Sequence, residues 1–460
     1  MANSFRGRES LIAVLGVVGS ALVAACSSGS IGSSDQALGL GQLCGNQPCD
    51  AVAHGAHDFF DRTPNGLNGN GRACSDCHMA TDSFQLSPAD VEARYEALQA
   101  KQKHDKNADD PLFRPIDADD FRTNGNNASD YSNLRENGLI RITFPLPSTM
   151  QLVDPDTMQV LPDTEVDVWR SVPTVLNVKL TGPDQGGQSW FRGPNLTGGY
   201  QLDARKATLQ DQALGAFQDH AQVENTPSQG MLDDIAAFEN SLFSSDAVRD
   251  MSLAIDNGLP APDPDPELTP LEQAGKAVFA RSCAQCHGGP SQSNAVAPVT
   301  RYSDIDTQCP RPVDTQNPAR WSFKPCPPRL ARNARLYRVT RPNGQQVLVY
   351  SSDPGRSLLT GFASISPGAP PLVPAAKDDW QALDVPQLRD LKNTAPYFHN
   401  NSADTLDDVL DHYDAFFKFV AANFPKNGPI PPVLTTTGAS IDRPFTPAER
   451  PALMAYLLKL

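Results

Sequence analysis

Two short motifs of identical spacing constrain this chain more than any other feature. Cys74-Ser75-Asp76-Cys77-His78 and Cys283-Ala284-Gln285-Cys286-His287 each carry two thiols and a histidine directly after the second. A helical turn brings two thiols so spaced to one edge, matching the two vinyl groups of a haem. The adjacent imidazole then lies under the iron as an axial ligand. Four cysteines in two such pairs could instead close one zinc site. A histidine at the same place in both motifs, in a chain that opens like an exported one, favours haem. Cys74, Cys77, Cys283 and Cys286 are then the attachment points of two covalently bound haem c groups. His78 and His287 are the proximal iron ligands.

The export reading comes from the first residues. Arg6 and Arg8 precede an apolar run from Leu11 to Ala25, which ends in Leu22-Val23-Ala24-Ala25-Cys26. Basic residues, a short apolar run and small residues before a cut are a secretory signal. A cysteine at the cut resembles the bacterial lipobox, in which Cys26 becomes the acylated first residue. The alternative, an uncleaved anchor, needs ~20 apolar residues to span a bilayer. The expectation is a signal peptide over 1–26 and a polar tether over 27–45. The mature chain would be held by lipid at Cys26 on the periplasmic side of a bacterial membrane, the outer one by preference.

Nine cysteines are present. Besides Cys26 and the haem thiols, Cys44, Cys49, Cys309 and Cys326 remain, an even number in an oxidising compartment. Local pairs Cys44–Cys49 and Cys309–Cys326 are the simplest connectivity, with free thiols the alternative. The formal net charge of −15 argues against nucleic acid as a partner. It argues equally against direct binding to an anionic membrane surface, leaving the lipid as the sole membrane contact.

The chain reads as two halves with the same local grammar. Prolines from Leu259 to Pro266 forbid helix and favour an extended connection. Domains are expected over 46–245, with an insertion at about 101–165, and over 268–460, joined by a linker at 246–267. Thr269-Pro270-Leu271-Glu272 opens a helix with a capping box and proline at its first position. Thr446-Pro447-Ala448-Glu449 repeats the device before a last helix with Leu453, Tyr456 and Leu457 at core spacing. Leu336 to Tyr350 alternates around Asn343-Gly344, a hairpin signal. Lys101–Asn137 is polar, rich in Asp and Asn, and reads as a surface insertion without assigned structure. The fold class expected is mainly α: two cytochrome c-like haem domains with long irregular insertions and a small β-hairpin.

The flanking residues resemble the bacterial di-haem cytochrome c peroxidase family, including its MauG branch. Gly55 to Asp61 looks like the helix entering the peroxidatic haem. Arg170-Ser171-Val172-Pro173-Thr174-Val175-Leu176-Asn177 is similar to the family's Arg-Asn-Ser-Pro-Thr-Val-x-Asn segment. Asp203-Ala204-Arg205 with Leu209, Gln212 and Ala213 matches its Asp-Gly-Arg…Leu-x-x-Gln-Ala stretch. Asp353-Pro354-Gly355-Arg356 and the run from Val385 to Leu406 match in the second half. The resemblance implies that peroxide meets iron at the first haem and that the second stores or relays an electron. It places Tyr413 where peroxidases carry a methionine ligand and MauG-type members a tyrosine, so Tyr413 is the expected sixth ligand of the second iron. An interdomain calcium in the family uses backbone groups matching Thr394 and Pro396, plus an asparagine that is Ser171 here.

Departures from the family pattern matter as much. No histidine lies between His104 and Arg170, so the displaceable distal ligand of some members is missing and the first iron is expected to be open. The family's acid–base glutamate falls on Gln222, an amide that cannot shuttle a proton. His220 or Glu224 could take over the proton, and the expected catalytic residues are His220, Gln222, which can orient peroxide by hydrogen bonding, and Gln212. The bridging tryptophan falls on Leu202. His54 and His57 read as a solvated helix face, and His399 as a hydrogen-bonding residue near the second haem.

Three readings follow. One is a peroxidase that reduces hydrogen peroxide or another small oxidant with electrons from a small redox protein. The second is a MauG-like or oxygenase-like oxidation of an organic or protein substrate. The third is an electron carrier without turnover. Peroxide-linked chemistry ranks first, because it is common to the enzyme readings.

Overall fold

The computed structural model describes residues 44–118, 131–181, 200–265, 267–284, 287, 299–300, 327–363, 379–381, 383–384, 386–423 and 444–460. For 181, 299–300 and 419–423 it describes the backbone alone. The chain is mainly helical with small antiparallel sheets. Its longer elements are α1 (Cys49–Phe60), α2 (Pro88–Gln102), α3 (Ser132–Asn137), β1 (Leu139–Pro145), β2 (Met150–Val153), β3 (Glu165–Ser171), α4 (Leu209–Asp219), α5 (Gln229–Asn240), α6 (Asp246–Asp256), α7 (Pro270–Ser282), β4 (Arg335–Thr340), β5 (Gln346–Ser351), α8 (Leu406–Asn423) and α9 (Arg450–Leu457), with single turns between. No helix among the described residues is long and apolar enough to cross a membrane. Cys26, Cys286, Cys309 and Cys326 lie outside the described residues.

By backbone contacts the chain divides into a smaller unit (1–85, 174–179 and 209–264) and a larger one (86–173, 180–208 and 265–460). The last division falls between Pro264 and Asp265, inside the proline-rich run.

The smaller unit is built on α1 and α5. Val52, Gly55 and Phe59 form the buried face of α1, the spacing of one helical stripe. The helices touch backbone to backbone at Gly55: a Cβ there would sit 1.8 Å from the Asp234 carbonyl oxygen. Around this crossing pack Cys44, Phe84, Val175 and Phe238. The Cys44–Cys49 disulfide is present at the entry to α1.

The larger unit repeats the device with α7 and α9, where a Cβ on Gly275 would sit 1.9 Å from the Ala452 carbonyl oxygen. α7 starts as its sequence predicts. The Thr269 hydroxyl accepts the Glu272 N–H at 3.3 Å, and the Glu272 carboxylate accepts the Thr269 N–H at 2.6 Å. Thr446 and Glu449 make the same reciprocal pair, at 2.8 and 3.3 Å, ahead of α9. Leu453, Tyr456 and Leu457 are buried against Phe279, Phe416 and Phe417.

The hairpin around Asn343-Gly344 forms with Arg335 opposite Ser351 and Thr340 opposite Gln346. It carries a third strand, with β2 antiparallel to β4 from Met150↔Val339 to Val153↔Leu336. β1 and β3 pair separately, Leu139↔Ser171 to Pro145↔Glu165. Between these sheets lies an apolar cluster including Phe144, Leu152, Val168, Tyr337 and Trp380.

The Lys101–Asn137 segment departs from a bare surface insertion. Pro111, Leu112 and Phe113 are buried in a single turn. Asn133 and Asn333 exchange buried amide bonds at 3.1 and 2.9 Å. Polar composition misleads here because paired amides satisfy one another inside the protein.

Candidate functional sites

In the smaller unit the first motif is a tight turn. The Cys77 and His78 N–H groups both donate to the Cys74 carbonyl, at 3.2 and 2.9 Å. Asp76 is buried and closes the turn by accepting the Ala73 N–H at 2.9 Å and pairing with Arg62 at 2.5 Å. Ser83 and Phe84 take positive φ values of 52° and 56°, a conformation that ordinary side chains adopt only under constraint. That bend brings the Phe84 carbonyl to 3.1 Å from Nδ1 of His78. A carbonyl only accepts, so Nδ1 carries the proton, the tautomer in which Nε2 is the nitrogen that can ligate a metal. The rings of Phe59, Phe84 and Phe238 cluster beside it. Thiols in one turn, an imidazole fixed as the correct tautomer and an apolar wall fit a covalently attached haem.

The candidate acid–base residues lie on the loop after α4, which is bonded to the segment leading into Cys74. Asn70 donates its N–H to the Ala221 carbonyl at 2.7 Å, and the Asn70 amide and the Arg72 guanidinium reach the His220 carbonyl at 2.9 and 3.0 Å. The Asn70 amide also donates to the Gln222 side chain at 3.3 Å. Gln222 is exposed with a φ of 50°, and His220 is half-buried. Glu224 is exposed and accepts from Asn68 at 3.3 Å. Gln212 sits earlier, half-buried on α4. Thus His220, Gln222 and Glu224 come together on one loop, while Gln212 belongs to the helix before it. His54 and His57 are exposed on α1, as read from the sequence.

One residue of this unit escaped sequence reasoning. Glu239 is 4% exposed, and its Oε2 has no hydrogen-bond partner among the described residues. Burial pushes its carboxyl up to about 8. Its neighbour Phe238 lies in the apolar cluster against which Cys74 packs, and burial first, with Glu239 second, pushes the Cys74 thiol up. The available signal was its register, since it continues the buried stripe of Leu232, Ile235 and Ala236.

In the larger unit Cys283 ends α7, and the His287 N–H donates to the Cys283 carbonyl at 2.9 Å, repeating the bond of the first motif. His287 is buried, with Nε2 3.3 Å from the Tyr413 hydroxyl. Tyr413 projects from α8 beside His412, which is fully buried against the Phe398 ring. The thiol, the buried imidazole and a facing phenol fit a second haem. The Thr394 hydroxyl donates to the Leu391 carbonyl at 3.3 Å, and Pro396 follows a cis peptide bond. Among the described residues no three His, Cys, Asp or Glu side chains gather as a metal site.

The larger unit also shows where the other matching segments meet. Arg170 is buried between Asp203 and Asp353, donating to the first at 2.6 Å and to the second at 2.6 and 3.0 Å. Arg205 adds a bond to Asp203 at 2.7 Å, and Arg356 donates to the Asp203 and Ala204 carbonyls, both at 2.9 Å. Burial is the largest single influence and works against both carboxylates, but Arg170 and Arg205 around Asp203, and Arg170, His399 and the Gly355 N–H around Asp353, together hold them below the usual range. His399 is buried and lies in the field of Asp353.

A scan against protein-family models finds no match, and no curated protein sequence matches the chain. Solved structures do resemble it. A MauG-like protein associated with microbial copper homeostasis aligns at 16% identity over 90% of this chain and 89% of that one, with a TM-score of 0.41. The diheme peroxidase BthA from Burkholderia thailandensis aligns at 15% identity over 89% and 86%, with a TM-score of 0.40. Hydrazine synthase from Kuenenia stuttgartiensis aligns at 15% over 82% and 94%, with a TM-score of 0.32.

Proposed function

We propose that this chain is a di-haem c-type oxidoreductase that reduces hydrogen peroxide at the haem of its smaller unit. Electrons would arrive from a small redox protein through the haem of its larger unit. The observation that carries the proposal is the repeated turn. Both motifs fold the histidine N–H onto the first cysteine carbonyl at 2.9 Å, in separate units each built on a helix pair crossing at glycine.

The haems supply the electron-accepting iron, and one peroxide takes two electrons and two protons to give two waters. The chain's own part is to hold and to protonate. Cys74 and Cys77, and Cys283 and Cys286, attach the groups, while His78 and His287 offer Nε2. Phe84 keeps the proton of His78 on Nδ1. His220, tethered to the Cys74 lead-in through its carbonyl, is the proton carrier of the first site, and Gln222 orients by hydrogen bonding. The mature protein is anchored by lipid at Cys26 on the periplasmic side.

Tyr413 supports a second reading, oxidation of an organic or protein substrate in the MauG manner. A tyrosinate facing His287 would stabilise oxidised iron, because an anionic hard ligand favours the more positive metal. Pyridine haemochrome and intact mass decide the common ground: two haems per chain are expected, and one in Cys74→Ala/Cys77→Ala. Zinc in place of haem would end both readings. EPR of the ferric protein should show a high-spin haem that binds cyanide without prior reduction beside a low-spin one.

A further inference from the structure

The least expected group in the smaller unit is a carboxyl without a partner. Glu239 stands on the buried face of α5, where α5 packs on α1 and α4. A buried polar oxygen left unbonded is destabilising, so its presence calls for a physical reason. The charged groups around it are otherwise occupied. Asp76 is closed by Arg62 and the Ala73 N–H. On α1, His54 pairs with Asp234 and His57 with Asp58, at 3.6 and 3.2 Å, and Asp50 is exposed. On α4, Asp211 and Asp219 are exposed. Cys74 and Cys77 would be tied up as thioethers to the haem, and His78 would offer Nε2 to its iron.

We propose that Glu239 is a redox-linked proton-binding group of the smaller unit, separate from the His220 that delivers protons to peroxide, taking up a proton when the haem held by Cys74 gains an electron and releasing it on oxidation. Each added electron makes the neighbourhood more negative, and a carboxyl beside it holds its proton more tightly. The electron comes from the redox donor and the proton from solvent. Glu239 is suited to this because burial already pushes it up to about 8, within reach of neutral pH. An acid that resists ionisation in the resting protein can be loaded or emptied by a change of one charge nearby. The inference rests on the haem reading of the Cys74 motif, which haemochrome counting tests separately.

The test is a spectroelectrochemical titration of both haems in the full-length holoprotein, over about pH 6 to 10. Linked uptake of one proton per electron lowers a potential by at most 59 mV for each tenfold fall in proton activity. The first haem should show a slope approaching that limit near pH 8, where burial sets the Glu239 carboxyl. Glu239→Gln should flatten it while leaving the second haem unchanged, and Glu239→Asp should keep a sloping region. Haem propionates titrate in every variant and so cancel in the comparison. An unchanged slope in Glu239→Gln, with two haems present, would overturn this inference alone; a missing first haem in the wild type would sink the haem reading as well. If Glu239→Gln fails to load haem, the wild type still decides. Its reduced-minus-oxidised infrared spectrum should show a protonated carboxyl band that shifts in D2O, and lack of that band would refute the assignment.

Discussion

The Tyr413 hydroxyl lies 3.3 Å from Nε2 of His287, so phenol and imidazole meet tip to tip in the larger unit. These are the two side chains proposed to hold the second haem, which would supply the iron. Tyr413→Phe should therefore shift the optical and EPR signature of the second haem and raise its potential. An unaltered spectrum would leave Tyr413 as a packing residue.

We propose His220 as the proton carrier of the first site because the Gln222 amide cannot cycle a proton. A positioned acid–base group is worth about 10²–10⁴-fold in rate. His220→Ala should slow the peroxide reaction at least ~100-fold, with haem content unchanged. Gln222→Glu should speed it where the missing carboxylate is limiting. Stopped-flow mixing with peroxide reads both, and a wild-type rate in His220→Ala removes it from the mechanism.

Arg170 has Asp353 on two of its nitrogens and Asp203 on a third. Removing one partner strands a buried charge, which costs about 3–5 kcal/mol. Asp353→Asn should lower the urea midpoint accordingly, while Asp404→Ala, which breaks only the part-exposed pair with Arg329, should cost less than about 1 kcal/mol.

Glu239 should also mark the pH dependence of stability. Its folded carboxyl sits up at about 8, against ~4.3 for a free glutamate. Between those values the folded chain binds the extra proton. This contribution is complete below the unfolded value and is lost as pH rises through 8. Urea midpoints should fall from about pH 6 to 9 in the wild type, and this component should vanish in Glu239→Gln.

The helix crossings tolerate no side chain. Ala at Gly55 or Gly275 would place a Cβ within 1.8 or 1.9 Å of a carbonyl oxygen on the facing helix. Either change should cost about 3 kcal/mol, the upper end for overpacking, and circular dichroism melts would show it.

Local rules were legible in the sequence. Thr269 and Glu272 announce a capping box, Asn343-Gly344 a hairpin, and Cys44 and Cys49 a short disulfide, and each is found. What the sequence could not carry are contacts set by distant backbone. The Phe84 carbonyl reaches His78 only because Ser83 and Phe84 turn to positive φ. Arg170, Asp203 and Asp353 were visible as matching segments, but their meeting in one buried network depends on tertiary packing. Glu239 hid in an apolar stripe because a glutamate on a helix usually reads as surface.

The β2–β4 pairing joins Val153 to Leu336, and Arg170 reaches Asp353 across 183 residues of chain. The larger unit is therefore threaded twice, its first portion waiting while the residues of α4 to α6 are made. Such non-local closure slows folding and leaves strand edges exposed meanwhile. Expressing 268–460 alone would omit β2 and Arg170, so a fragment cut in the proline run should misfold where a conventional two-domain protein would separate cleanly.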